Sequence, residues 1–365
     1  MCNFTCKMCY IRRSLQEVNA QGGLLPAEFW MDLADQILDS GTLFLLLTGG
    51  EPLLYPDFWK LYHALCRKGL KVSINTNASL IDEEAIERFL SDPPERINIT
   101  LYGGSNESYA RLCGAPHGFD RVRRAVQLLH EHGIRLRFNC SLTPDNCSDL
   151  EDIIHFAKEF GSGVRCATYM FPPVRRTGQC GDYDARLTPE QAAYHHVYAN
   201  YLLLTPEVFQ KFSAKMQSFR EVSDELLSEC ATAEPGSMHC RAGRSSCWID
   251  WTGCLSACGM FNKPSVSLKE HTFAEAWSEI AAWTREFRYS PVCSNCGNRR
   301  ACSICPAKVY NETGGFTGRP SYICEMLKYE KQYYAQFSKT LSITHPKDIS
   351  VDPGNLPEQS CEMDF

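Results

Sequence analysis

The 365-residue sequence lacks long apolar runs and an excess of basic residues. No segment approaches the roughly 18 consecutive apolar residues of a membrane-spanning helix, so no membrane partner is predicted. Lys and Arg total 37 against 43 Asp and Glu, and this net charge of −6 argues against a chain-wide nucleic-acid surface. The first residues already carry Lys7, Arg12 and Arg13 and lack the apolar core of a secretory signal. The sequence therefore predicts a cytoplasmic protein without nucleic-acid or membrane partners.

Cysteine, in contrast, is abundant, with 20 residues in the chain. Without a secretory route, disulfides explain this number poorly, and metal, cluster or redox chemistry becomes the leading interpretation. Three cysteines lie within residues 2–9 and nine more within residues 240–324. This distribution predicts two separate cysteine sites joined by an ordinary folded domain.

The region between the two cysteine groups alternates strand and helix patterns. Five apolar segments of strand length, separated by segments with helical spacing of apolar residues, lie at 42–48, 70–75, 97–102, 134–142 and 164–169. Repeated βα units of this kind predict a parallel sheet with right-handed crossovers, either barrel-like or doubly wound. The first segment is apolar throughout and is expected to be buried on both faces.

Small and polar residues follow four of these predicted strands, at Thr48–Pro52, Asn75–Asn77, Tyr102–Ser105 and Asn139–Ser141. Gly and Asn also end strands for backbone reasons, which is the simpler explanation for any single loop. Because the carboxyl ends of parallel strands meet at one edge, four such loops together favour a ligand site.

Cys2, Cys6 and Cys9 fall within eight residues and are followed by Tyr10. Three soft thiolates can hold three corners of a cubic iron–sulfur cluster and leave one iron open for a substrate or cofactor. Zinc bound by these cysteines and one distant residue is the alternative.

The segment from Cys2 to Tyr10 (CNFTCKMCY) resembles the cluster loop of the radical S-adenosyl-L-methionine (SAM) superfamily. Gly49–Pro52 resembles that family's motif for the amino group of SAM. The resemblance implies a partial (β/α)6 barrel, in agreement with the strand pattern, and a [4Fe–4S] cluster on Cys2, Cys6 and Cys9. It also implies reductive cleavage of SAM to methionine and a 5′-deoxyadenosyl radical, which abstracts a substrate hydrogen. Such an enzyme needs a one-electron donor such as flavodoxin or ferredoxin.

The resemblance also assigns contacts to SAM. Glu51 and the backbone of Gly49 and Gly50 would hold the amino group, and Arg111 would hold the carboxylate, although a solvated helix residue is an equal interpretation of Arg111. The remaining predicted cofactor-binding residues are Tyr10, Asn75, Thr100 and Ser141.

The C-terminal cysteines resemble the SPASM extension that follows many radical SAM barrels. Gly253–Cys258 fits its Gly-x4-Cys pattern, and Trp248–Gly253 resembles the preceding hairpin. The resemblance implies two auxiliary [4Fe–4S] clusters that relay electrons, while two structural zinc ions would satisfy the spacing alone. The first would be held by Cys240, Cys247, Cys258 and Cys305, and the second by Cys293, Cys296, Cys302 and Cys324. The remaining nine cysteines are expected to pack as small apolar residues.

Two departures from the family pattern stand out. The last spacing, Cys302-x2-Cys305, is one residue shorter than usual, so Cys254 is an alternative to Cys305 as a ligand. Met1 directly precedes Cys2, whereas the family has a strand before the cluster loop. The barrel as written therefore lacks its first strand and has an exposed edge, and poor stability or weak cluster retention is expected.

The predicted domains are the barrel at 1–205, a helical linker at 206–239, an auxiliary-cluster domain at 240–335 and a tail at 336–365. Within the linker, residues 209–228 are expected to form an amphipathic helix. After the last strand, Arg175 and Arg176 could meet an acidic substrate, but a solvated loop is favoured. His195 and His196 are adjacent and share no helix face, so a metal site is not predicted there.

The predicted function is oxidative crosslinking or dehydrogenation of a peptide or protein side chain, since relatives with two auxiliary clusters commonly carry out such modifications. The alternative is a radical enzyme for a small molecule or a tetrapyrrole side chain. The Leu101–Gly103 turn departs from the Leu-Asp-Gly common in sulfatase-maturing relatives, which disfavours that option. A non-enzymatic, zinc-stabilised binding protein is a third class. Because such clusters are oxygen-sensitive, an anaerobic or strongly reducing cytoplasm is expected.

Overall fold

The computed structural model describes residues 1–181, 183–219, 236–238, 240–302 and 304–341. Its N-terminal part alternates helices and strands, most of which begin or end within a few residues of the predicted segments. The elements are α1 (Leu15–Ala20), α2 (Ala27–Asp39), β1 (Phe44–Leu47), α3 (Phe58–Arg67), β2 (Lys71–Thr76), α4 (Glu83–Ser91), β3 (Arg96–Leu101), α5 (Asn106–Cys113), α6 (Gly118–Glu131), β4 (Leu136–Ser141), α7 (Leu150–Glu159), β5 (Val164–Ala167), α8 (Val174–Thr177), α9 (Pro189–Leu203) and α10 (Pro206–Gln217).

The five strands form one parallel sheet in the order β1-β2-β3-β4-β5. A doubly wound sheet reverses its strand order at a switch point, whereas a barrel adds each strand beside the previous one. The consecutive order therefore decides between the two predicted architectures in favour of a partial barrel. The predicted α/β fold with five parallel strands is confirmed.

The two faces of the sheet differ in chemistry. Ile74, Ile99 and Phe138 lie on one face and are fully buried in a core shared with the helices. The opposite face is polar, and the strand register aligns Asn75 with Asn98 of β3. The Asn98 side chain donates to the Asn75 side chain at 2.7 Å, which confirms that the two share this face. Stability therefore comes from the helix side, while the polar face is open to ligand chemistry.

The expectation that the first strand is buried on both faces is wrong. Phe44 of β1 is 68% exposed, and the three residues after it are only partly buried. Within the described residues β1 pairs with β2 alone, so it is an edge strand. An apolar composition predicts burial only when a neighbour covers the strand, and here no described element does so on its outer side.

The C-terminal part contains a small antiparallel sheet and a group of helices around a second core. Its last helix packs along α9 and α10 of the N-terminal part. The elements are β6 (Trp248–Ile249), β7 (Cys254–Ser256), β8 (Ser265–Ser267), α11 (Phe273–Glu286), α12 (Pro291–Asn295), α13 (Arg299–Cys302), α14 (Pro306–Thr313) and α15 (Ser321–Leu341).

The predicted linker and tail are described only in part. Helix α10 begins at Pro206, capped by the Thr205 hydroxyl, and ends at Gln217, so most of the second half of the expected 209–228 helix lies outside the described residues. Helix α15 continues to Leu341, six residues past the predicted end of the auxiliary domain at 335. Residues 342–365 lie outside the described part of the chain.

A partly buried pair of opposite charge lies between α9 and α15. The imidazole of His196 contacts the carboxylate of Glu330, and Asn200 contacts the other ring nitrogen and the Tyr334 hydroxyl. Burial lowers the pKa of His196, but the Glu330 carboxylate more than compensates, and the pKa lies above its ordinary value. The nearby Lys308 ammonium opposes this rise.

This pair predicts a pH-dependent stability. Because the folded pKa of His196 is raised, its contribution is complete below the ordinary value of about 6.5 and is lost as the pH rises through the folded pKa. The melting temperature of the wild-type chain is therefore expected to fall as the pH rises above about 6.5. Glu330→Gln should melt lower at the acid end and show a flatter profile, and the exposed His117→Gln should follow the wild type. A Glu330→Gln profile parallel to the wild type would contradict this.

Candidate cluster and cofactor site

The loop that carries Cys2, Cys6 and Cys9 is fixed to the end of helix α5. The backbone N–H of Thr5 donates to the carbonyl of Cys113 at 2.8 Å, and that of Lys7 donates to the carbonyl of Leu112 at 3.1 Å. These carbonyls belong to the last turn of α5, where helix carbonyls lack partners within the helix. The loop therefore supplies hydrogen-bond donors to the last carbonyls of α5, and the same bonds hold the loop in place.

Aromatic side chains form the wall behind this loop. Phe4 is 3% exposed, and its ring packs edge-to-face against Tyr102 at 6.2 Å and Tyr109 at 6.1 Å between centroids. Tyr102 follows strand β3 directly and Tyr109 lies in α5, so the wall joins sheet, helix and loop. The packing keeps water away from the protein side of the three cysteines.

The loop also touches the turn after β1. A Cβ atom on Gly50 would lie 2.0 Å from the carbonyl oxygen of Met1 and 3.0 Å from the Cβ of Cys2. The N–H of Glu51 donates to that same Met1 carbonyl at 2.9 Å. Only glycine permits this approach, so the two segments that the sequence singled out are brought into contact.

Glu51 is 3% exposed, and its carboxylate ties the end of β1 to the end of β2. One oxygen accepts from the Thr76 hydroxyl at 2.7 Å and the Leu53 N–H at 3.2 Å, and the other accepts from the Asn77 N–H at 2.8 Å. Burial raises the pKa of Glu51, while the three donors oppose that rise. Since two carboxylate oxygens offer about four acceptor positions, one remains for a further donor.

The other predicted SAM contacts fall into two groups. The strand register places Asn75, Thr100 and Ser141 on the polar face of the sheet, each further toward the carboxyl end than the one before. Arg111 is exposed on α5 and donates to the Asp145 carbonyl at 2.8 Å, beside the ion pair between Lys7 and Asp145. It therefore lies close to the cluster loop, but its contacts are to protein groups.

Tyr10 lies between the N-terminal loop and the C-terminal part. It packs against the second core, and the thiols of Cys9 and Cys258 and the guanidinium of Arg175 all act on its hydroxyl. Burial raises the pKa of Tyr10 well above its ordinary value. Its position makes it a contact between the two cysteine regions.

Backbone N–H groups point at several of the cysteine sulfurs. Phe4 donates to Cys2 and Met260 donates to Cys258, each at 3.4 Å and each from two residues further along. Similar donors face Cys9, from Ile11 and Arg12, and Cys302, from Ile304. Because N–H donors stabilise a thiolate over a thiol, these local turns suit cysteines that bind a metal or cluster.

The C-terminal cysteines form two groups. The thiols of Cys305 and Cys240 lie near that of Cys258, and burial raises the pKa of the Cys258 thiol to about 12. Burial likewise raises the pKa of Cys247 to about 12. Cys305 is buried as the N-cap of α14, where its sulfur accepts the Lys308 N–H at 3.4 Å. Cys305 therefore lies near Cys258, one of its predicted partners, so Cys254 is not the sole candidate for this position.

The second group surrounds the short helices α12 and α13. The thiols of Cys324 and Cys296 lie near those of both Cys293 and Cys302. Burial raises the pKa of Cys302 to about 12 and also raises that of Cys293. Within the described residues, no three His, Cys, Asp or Glu side chains converge where a single metal ion would fit.

Three residues with contacts at these sites were not identified from the sequence. The Cys113 thiol hydrogen-bonds to Cys6 and thereby lowers the pKa of Cys6. The Asn77 amide contacts Cys2 at 3.8 Å and Asn3 at 2.9 Å, a role that its place in the rim turn Asn75–Asn77 hinted at. Arg175 was favoured as part of a solvated loop, but its side chain is only 9% exposed, so this expectation is wrong.

Comparison with known proteins agrees with this arrangement. Residues 1–157 match the family model described as the radical SAM superfamily. These residues are a radical SAM domain. The match covers the cluster loop and the sheet up to β4, where the predicted motifs lie.

Two curated relatives extend beyond the radical SAM domain. An AdoMet-dependent heme synthase from Nitratidesulfovibrio vulgaris is 24% identical over 328 residues, 86% of each chain. The mycofactocin maturase MftC from Mycobacterium tuberculosis is 25% identical over 329 residues, 87% of this chain and 78% of the maturase. Among solved structures, SuiB from Streptococcus suis bound to the precursor peptide SuiA superposes with a TM-score of 0.61. That match, at 19% identity, covers 88% of this chain and 73% of SuiB and shows a shared fold.

No helix in the described part of the radical SAM protein is long and apolar enough to cross a membrane.

Substitution of Glu51 tests its predicted contact with SAM. In Glu51→Gln, an amide NH2 must face one of the three donors, and the negative charge near the SAM amino group is lost. Because a hydrogen bond to a charged group contributes about 1.5–3 kcal/mol, the KM for SAM is expected to rise roughly 10- to 100-fold. The exposed Glu28→Gln, which removes only a surface ion pair with Lys60, should keep the wild-type KM. An unchanged KM in Glu51→Gln would exclude Glu51 from SAM binding.

Proposed function

We propose that this radical SAM protein oxidatively modifies a peptide or protein side chain, by crosslinking or dehydrogenation. The observation that carries the radical chemistry is the contact of the cysteine loop with the turn after β1. The Met1 carbonyl rests on Gly50 and accepts from Glu51, so the three thiols and the SAM motif share one end of the sheet. Parallel α/β folds place their chemistry at this end.

The residues present fit the cofactors that the family implies. Cys2, Cys6 and Cys9 would hold a [4Fe–4S] cluster, and Glu51 would accept from the SAM amino group. When bound, cluster and SAM supply the electron and the 5′-deoxyadenosyl radical that abstracts a hydrogen atom from the substrate. The chain's own part is to orient and to exclude water: α5 holds the loop, Glu51 aligns the strand ends, and Phe4 closes the protein side.

The two C-terminal cysteine groups would each hold an auxiliary [4Fe–4S] cluster. Two structural zinc ions bound by the same thiolates are the alternative. Four cysteine ligands leave no iron open, which favours electron relay over substrate binding. The radical SAM cluster itself would be reduced by a one-electron donor such as flavodoxin or ferredoxin, in a reducing cytoplasm.

Similarity to maturases supports a peptide or protein substrate. The similarity to mycofactocin maturase MftC covers 87% of this chain, and the fold is shared with a protein crystallised with its precursor peptide. The second candidate is a tetrapyrrole side chain or another small molecule. It is favoured by the similarity to AdoMet-dependent heme synthase, which covers 86% of both chains.

Anaerobic reconstitution with iron and sulfide tests the proposal in two steps. With dithionite and SAM, the reconstituted chain is expected to release 5′-deoxyadenosine; absence of both iron–sulfur absorption and this product would falsify the radical chemistry. The second step supplies two substrates in parallel: a cysteine-rich or repeat-bearing peptide encoded beside the gene, and a carboxylated tetrapyrrole. Loss of two hydrogens from the peptide by mass spectrometry supports the first candidate. A change in the tetrapyrrole alone would replace it with the second.

A further inference from the structure

Arg175 is a buried arginine that joins the barrel to the C-terminal cysteine region. It lies on α8, just after the last strand of the sheet, and its side chain is 9% exposed. One terminal nitrogen donates to the Ser256 hydroxyl at 2.9 Å, the Cys258 carbonyl at 3.2 Å and the Phe261 carbonyl at 2.6 Å. The other terminal nitrogen pairs with Asp250 at 3.5 Å. All these partners belong to the β6–β7 hairpin or to the loop after it, which carries Cys258.

One N–H group of the Arg175 guanidinium takes no part in these contacts. The Nε atom is buried and has no hydrogen-bond partner among the residues that the structure describes. A buried N–H without an acceptor is uncommon in folded proteins and calls for an explanation such as an absent ligand. The surroundings suit an electron-rich group, because Cys258 and Cys254 both interact with the positive charge of Arg175. The sulfurs of a cluster bound to Cys258 would be acceptors of this kind.

The backbone of the same segment is held from the opposite side. The guanidinium of Arg13, four residues after Cys9, donates to the carbonyl oxygens of Arg175 and Arg176. Tyr10 lies beside Arg175 and between Cys9 and Cys258. A continuous set of contacts therefore runs from the N-terminal cysteine loop through Arg13 and α8 to the loop of Cys258.

We infer that Arg175 is a positioning residue for an auxiliary cluster bound by Cys240, Cys247, Cys258 and Cys305, and that its charge raises the reduction potential of that cluster. The inference rests on the auxiliary cluster of the proposed function. The fork of N–H groups fixes the Cys258 loop against the barrel. The positive charge favours the reduced state, which carries one more electron than the oxidised state. Arg175 thus acts on the cluster by holding the Cys258 loop and through the positive charge of its guanidinium, without ligating iron.

Three variants test this role in the reconstituted full-length chain. Arg175→Met removes the charge and the fork, Arg175→Lys keeps the charge alone, and the exposed Arg244→Met removes a charge from the same region. The readouts are iron bound per chain in the presence of a chelator and the midpoint potential of each cluster from redox titration followed by electron paramagnetic resonance. Cys258→Ala identifies the signal that belongs to this cluster.

In Arg175→Met, the signal assigned by Cys258→Ala is expected at a more negative potential, with retention of its iron weakened roughly 10- to 100-fold. Arg175→Lys should keep most of the potential but lose part of the retention, and Arg244→Met should match the wild type. Wild-type potential and retention in both Arg175 variants would overturn the inference. If Cys258→Ala itself changes neither the iron content nor any signal, the auxiliary cluster of the proposed function is what fails.

Discussion

Cys6→Ala is expected to abolish formation of 5′-deoxyadenosine from SAM. Cys6 is the middle of the three cysteines, is buried against the wall of Phe4, and receives a hydrogen bond from Cys113. Two remaining thiols cannot hold three corners of a cubic cluster, so the variant should lose about four iron atoms per chain after reconstitution. The rate should fall by more than the roughly 10- to 100-fold that loss of an outer-shell partner causes.

Cys66→Ala is the matched control for this substitution. Cys66 is a partly buried thiol on α3 whose neighbour is Tyr62, so it tests loss of a cysteine without loss of a ligand. Iron content, the visible absorption of the cluster and product formation should all equal those of the wild type. If Cys6→Ala retains wild-type iron and SAM cleavage, the N-terminal loop does not bind the catalytic cluster.

Gly50→Ala is expected to separate the cysteine loop from the turn after β1. The new Cβ would lie 2.0 Å from the Met1 carbonyl oxygen, a distance that requires backbone to move. Such a forced shift costs about 1–3 kcal/mol or more, and it displaces the N–H of Glu51 from its acceptor. We expect a lower melting temperature together with loss of the N-terminal cluster.

The adjacent Gly49 offers a close comparison. A Cβ atom on Gly49 would meet nothing within 4 Å, and neither glycine has a positive φ, so backbone conformation does not distinguish the two. Gly49→Ala should therefore keep the iron content and melting temperature of the wild type. Equal losses in both variants would show that the contact with Met1 does not explain the requirement for glycine.

The succession of strands and helices could be predicted from the sequence because each βα unit is a local pattern, whereas the strand pattern left two strand orders open. An exposed edge of the barrel was expected and β1 lies at an edge, but the expectation that the apolar strand Phe44–Leu47 is covered on both faces is wrong. Its composition resembles that of a central strand, and exposure is decided by which elements pair beside it. Burial of a strand depends on neighbours that its own residues do not encode.

The candidate site likewise contains residues that the sequence identified and contacts that it could not predict. Spacing drew attention to the cysteines, and the ligand sets that the family resemblance implies remain predictions. The partners of Arg175 could not be predicted, because Ser256 and Phe261 lie 81 and 86 positions further along the chain. Cys113 is likewise brought to Cys6 only by the seating of the loop on α5. Contacts that depend on tertiary packing were therefore missed.

The two-sided chemistry of the barrel strands has an evolutionary consequence. Ile74 and Ile99 fill the core under the helices, while Asn75 and Asn98 alternate with them on the other face. Exchange of either asparagine removes little buried apolar surface and costs about 1–3 kcal/mol for the hydrogen-bond partner left unsatisfied, against about 2–5 kcal/mol for truncation of a core isoleucine to alanine. Substitutions on the polar face of a strand can thus change which substrate is bound, while the apolar face of the same strand keeps the protein folded.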